Sequence, residues 1–140
     1  MSSTSPMQTP LRILLGLGAL LFGLATLASG GNVLFGDGTA RAAAGQVVEF
    51  VVMFNVSAGF VYLATGVAIL WNHRLAILLA RGLAGATVLT FLALGLHIAS
   101  GGGFETRTVV AMTVRSGFWI VQALALSRVI GGAKGRPLAP

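Results

Sequence analysis

The sequence contains no cysteine. Disulfides, thiolate metal sites, CxxC redox pairs and cysteine nucleophiles are therefore all excluded. Charge is scarce too, at 9% of 140 residues, where an ordinary soluble domain carries about 25%. Acids are scarcest: Asp37, Glu49 and Glu105 are the only three, against nine lysines and arginines. With one aspartate and no nucleophile elbow, Ser/His/Asp catalysis has no footing. The two histidines, His73 and His97, stand about 36 Å apart if the run between them is one helix, so they cannot share a haem. HExxH is absent, and GGGFE lacks the Lys-Ser/Thr ending and the preceding strand of a phosphate loop. An enzyme acting alone is not expected, and neither is a metal site. No resident cofactor is expected; a quinone or lipid tail is the one class that the aromatics Phe22, Phe50, Phe54, Phe60, Phe91, Phe118 and Trp119 would suit.

What the chain does have is oil, 56% hydrophobic residues, gathered into four apolar runs. These cover about 12–29, 42–71, 75–99 and 106–130, and a bilayer crossing needs about 20 residues. The pattern predicts an all-α polytopic membrane protein. It is read as one transmembrane domain over 1–140, a four-helix bundle whose short loops make neighbours antiparallel, with a basic tail at 131–140. The first run also fits a secretory leader, with Ala28-Ser29-Gly30 as small residues for cleavage, but a retained helix is preferred.

The net charge of +6 follows the ends of the runs. Arg12, Arg74, Arg128, Lys134 and Arg136 fall on one side with Arg81 just inside it; Arg41 and Arg107, each near an acid, fall on the other. The positive-inside rule puts both termini in the cytoplasm of an inner, or cell, membrane. Membrane lipid is then the expected partner, along with a homo-oligomer or a larger membrane complex, and nucleic acid is not.

Small or mildly polar residues recur at helical spacing, which is how membrane helices approach closely. The stripes are Gly16, Ala19, Gly23 and Thr26 in the first run, and Gly82, Ala86, Thr90, Ala93 and His97 in the third. The second run has two, Asn55, Gly59, Tyr62 and Gly66 on one side and Gln46, Glu49, Met53 and Ser57 on the other. In the fourth, Thr108, Ala111, Arg115, Trp119 and Gln122 form a stripe that places Arg115 inside the bundle.

The stretch HIASGGGFETRTVVAMTVRS, residues 97 to 116, concentrates ionisable groups. An arginine at bilayer depth costs about 2.5–3.5 kcal/mol unless it is paired or faces a wet cavity. Helical rise puts Glu49, His97 and Arg115 at similar depths in the outer half. The expectation is an ion pair between Arg115 and Glu49, with His97 and Asn55 as neighbours, forming a ligand or proton site. Glu105 is a competing partner at the surface, Arg107 stands at the mouth, and Tyr62 and Gln122 are secondary members. The alternative is a purely structural pair that fixes helix register, with His97 bonded to a backbone carbonyl and Arg81 reaching the cytoplasmic headgroups.

Leu11-Arg12-Ile13-Leu14-Leu15-Gly16, then Leu21-Phe22-Gly23-Leu24, then a second helix with Gly59 and Gly66 before a short basic turn, together resemble the DoxX-like small four-helix membrane proteins. That resemblance covers about the first three helices and implies a quinone-linked oxidoreductase subunit. The family's acidic residue one turn before the first glycine of helix two is replaced here by Asn55. Three functions stay open at this point: a non-catalytic subunit or accessory protein of a membrane complex, a small proton-coupled or anion-binding transporter, and the quinone-linked subunit.

Overall fold

The computed structural model describes residues 7–132. Among them the chain is all helix, in the order α1 (Gln8–Phe35), α2 (Thr39–Ala44), α3 (Glu49–Leu70), α4 (Leu75–Ala99) and α5 (Thr106–Val129). Four of these, all but α2, are long and apolar enough to cross a membrane. The tail beyond residue 132, with Lys134 and Arg136, lies outside the described residues.

The first run extends further than its apolar core suggests, since α1 continues past Ser29 through Gly30 and Gly31 to Phe35. The second run breaks. Gly45 adopts φ 71°, in the left-handed region that glycine enters freely, and a Cβ there would run into the Glu105 carboxylate. The expected helix over 42–71 is therefore α2, a turn, and α3. At the other end of α3, Asn72 takes φ 55°, tolerable for its short polar side chain, and the chain turns directly into α4.

Packing is tightest between α1 and α3, where α1 buries only Gly16, Ala19, Gly23 and Thr26, the four residues of its small stripe. The contacts run in opposing order. A Cβ added to Gly16 would lie 2.6 Å from Leu70, one on Gly23 would lie 2.8 Å from Leu63, and one on Gly30 would lie 2.6 Å from Val56. α3 contributes Gly59 and Gly66 to the same seam, and Gly66 sits so close that its Cβ would be 3.1 Å from the Gly16 carbonyl oxygen. α4 packs on α5 and on α3.

Two expected faces point elsewhere. α4 turns Ala76, Ala80, Leu83, Thr87 and Leu94 inward, while Gly82 and Ala93 are exposed and Ala86, Thr90 and His97 are half-buried. Nothing lies within 4 Å of a Cβ at Gly82, Gly85 or Gly95. On α3 the Glu49, Met53 and Ser57 side is exposed, because one face of that helix already meets α1 and α4. The α5 stripe holds in its lower part: Arg115, Trp119 and Gln122 are buried, joined by Met112, Ser116 and Leu126, whereas Thr108 is half-buried and Ala111 exposed.

The interior between α1, α3 and α5 is aromatic. Phe22 stacks on Phe118 at 4.5 Å and on Tyr62 at 5.7 Å between ring centroids, and Tyr62 lies 4.6 Å from Trp119. Helical spacing accounts for this, since Arg115, Trp119 and Gln122 recur every three to four residues on one face of α5 and meet the Phe22 face of α1.

Candidate functional site

The Arg115 side chain enters this interior 7% exposed. Its Nη2 donates to Thr26 Oγ1 at 3.3 Å and its Nη1 reaches Met112 Sδ at 3.8 Å, both weak contacts. Nε has no partner. The guanidinium carbon lies 5.6 Å from the centroid of the Phe22 ring, a cation–π contact worth about 0.5–2 kcal/mol. Tyr62 stacks on the same Phe22 ring and lies against Trp119, and neither the Tyr62 hydroxyl nor the Trp119 indole nitrogen is paired at hydrogen-bond geometry.

The expected pair with Glu49 does not form. Glu49 Oε1 accepts instead from Arg41 Nη2 at 2.6 Å, with the two side chains 73% and 46% exposed. The reason is the break at Gly45. It ends α2 against α1 and turns the chain so that the Arg41 side chain reaches Glu49 at the surface, where both charges keep their hydration and neither has to be buried.

The other acids are also occupied. Glu105 Oε1 accepts from the Gln46 backbone amide at 3.0 Å, tying the start of α5 to the turn before α3. Asp37 Oδ1 accepts from the Thr39 hydroxyl at 2.6 Å and from its amide at 3.0 Å. These bonds hold the Asp37 carboxyl below its ordinary range. Arg115 thus has no carboxylate partner among the described residues, which include all three acidic side chains of the chain.

His97 is likewise absent from the Arg115 group. Its Nε2 meets the Gly103 carbonyl at 3.1 Å and its ring lies edge-on to Phe50 at 6.0 Å, so it fastens the glycine loop in the way the structural alternative foresaw. No cluster of three or more potential metal ligands occurs among the described residues. Gln122 donates to the Leu15 carbonyl at 2.9 Å, cross-linking α5 to α1 below the aromatic layer. Arg81 donates to Ser127 at 3.0 Å.

Arg115 and Asn55 do come together, in a pocket of about 550 Å³ bounded by α1, α2 and the first halves of α3 and α5. Thr26, Ser29, Thr108 and Arg107 supply its remaining polar lining, and Ala40, Ala43, Val47, Val48, Val51 and Val52 much of its apolar wall. Arg107 also donates to the Ala43 carbonyl, fastening α2 over the pocket. No acidic side chain lines it. Asn55 has an unpartnered, buried Oδ1. Ser29 escaped the sequence reading, although it falls three residues past Thr26 on the same helical stripe; Thr26 belonged to that stripe but gave no sign of being an arginine partner.

Compared with known protein families, with curated proteins and with solved structures, the chain matches none.

Proposed function

We propose that the chain is a non-catalytic, multi-pass membrane protein of the carrier class that binds an anionic solute, with Arg115 holding the charge. In this reading its four long helices cross the bilayer as antiparallel neighbours, both termini are cytoplasmic, and the pocket opens at the outer face. The opposing order of the α1–α3 contacts and the one-sided basic residues support that arrangement. The observation that carries the function is the buried Arg115, whose planar fork of five N–H donors has two weak partners, no carboxylate, and a pocket in front of it.

A buried cation of this kind is expensive for structure alone, and an anion offsets the cost by supplying the missing charge. The test is ligand-induced stabilisation of the full chain in lipid nanodiscs, using acetate, sulfate and octanoate. A site ligand at one hundred times its Kd should stabilise the fold by about 2.7 kcal/mol, and Arg115→Gln should erase the effect. If none of the three anions stabilises the wild-type protein, the reading is wrong.

A second reading, membership of a homo-oligomer or larger membrane complex, is favoured by the outward glycines of α4. Gly82 and Gly85 lie one turn apart with open space in front of them, the geometry in which two membrane helices approach closely. The cysteine-free chain allows a clean measurement. Gly85→Cys should cross-link to a dimer on oxidation in membranes while Val121→Cys, on exposed α5, should not; monomer from both would remove this reading.

A further inference from the structure

We propose that the ligand of this pocket is an amphiphilic organic monoanion, a carboxylate carrying an apolar body of medium length; this rests on the reading of Arg115 as an anion anchor. At the deep end Arg115 bonds Thr26, and Asn55, with its unpartnered Oδ1, lines the same pocket, so a carboxylate suits the two-pronged guanidinium there; Ser29, Thr108 and Arg107 stand nearer the mouth. From there toward the rim the α3 and α2 side of the wall is Val51, Val48, Val47 and the alanines of α2, none of which offers a side-chain hydrogen bond.

Size points the same way. A volume of about 550 Å³ lies within the range of organic-ligand sites, about 300–1,000 Å³, and leaves room in this open cleft beyond an inorganic anion on Arg115. A sulfate or halide seated on Arg115 would leave the valine wall facing water, whereas an alkyl or aryl body covers it and gains from burial. Arg107 stands at the rim, two turns before Arg115 on α5, about 12 Å along the helix at the standard rise. There it draws anions inward while fastened to Ala43.

The experiment is a ranking within one panel, read as apparent Kd from thermal shift of the full chain in nanodiscs of zwitterionic lipid. The probes are acetate, sulfate, octanoate, and octylammonium, which has a similar body and the opposite charge. Octanoate should bind at least tenfold tighter than acetate, a difference of about 1.4 kcal/mol, which about two buried methylenes supply. Octylammonium should not bind.

Two variants separate the parts. Arg115→Gln should abolish octanoate binding, and Val52→Trp, which narrows the pocket and leaves Arg115 in place, should bring octanoate down to the affinity of acetate. Equal affinities for acetate, sulfate and octanoate, all lost in Arg115→Gln, would overturn the amphiphile and leave the anion site standing. Absence of binding by any anion would overturn both. Octanoate binding that survives in Arg115→Gln, or is matched by octylammonium, would mean partition into lipid and would also overturn the proposal.

Discussion

Arg41 and Arg115 are the same residue type in two regions of one molecule, and they met opposite fates. At the rim, Arg41 is half exposed and holds Glu49 at 2.6 Å. In the interior, Arg115 is 7% exposed and has a threonine, a thioether and an aromatic face. The carboxylate went where it was least needed. A surface pair gains only about 0–1 kcal/mol, so the arrangement is not one that maximises stability. It leaves the interior cation without an acidic partner.

The largest effect expected from breaking this contrast is on ligand affinity. Arg115→Gln should weaken anion binding by 100-fold or more, about 2.7 kcal/mol, whereas Arg41→Gln should change it less than threefold; equal losses would mean that the rim does the binding. Next in size is the seam on which the pocket rests. Gly66→Leu would force a side chain against Leu20 and the Gly16 backbone and should cost about 1–3 kcal/mol, measured by unfolding in detergent. Gly82→Leu, which meets nothing within the single chain, should stay within about 0.5 kcal/mol when the protein is monomeric in detergent.

A smaller effect belongs to the rim pair. A double-mutant cycle on Arg41 and Glu49 should give a coupling of about 0.2–1 kcal/mol that shrinks with added salt. A value several times larger would show that the rim is less hydrated than its exposure implies. The smallest effect is at Asp37. Its carboxyl is depressed below 3.8 by the Thr39 hydroxyl and amide, so its contribution is complete above that value and fades as pH falls through the lowered one. The Thr39 amide resonance should therefore hold steady from neutral pH to about 5 and move only in stronger acid, and Asp37→Asn should remove that movement.

Much of this was legible in the residues. The α1 stripe Gly16, Ala19, Gly23 and Thr26 is the buried face of that helix, and the spacing of Arg115, Trp119 and Gln122 correctly put the arginine inside. Residue depth was less informative about partners. Glu49 stands close enough in level to Arg115, but Arg41, eight residues before it, reaches it first because Gly45 turns the chain, and a left-handed glycine inside an apolar run leaves no mark in hydrophobic periodicity. The small residues of α4 misled for a related reason. Small size permits close approach without naming the neighbour, and the inward face of α4 is built from Ala76, Ala80 and Leu83 instead. The Thr26–Arg115 contact joins residues 89 apart in the chain, which no local pattern encodes.

The six residues of α2 are too few to sustain a helix by their own hydrogen bonds. Slung between Gly38 and Gly45, both at positive φ, the segment keeps its shape through outside fastenings, Arg107 on the Ala43 carbonyl and Arg41 on Glu49. Its backbone amides are thus a built-in gauge. Deuterium uptake across residues 39–44 follows the state of those two fastenings directly, and anything that settles beside Ala40 and Ala43 registers there as slower exchange.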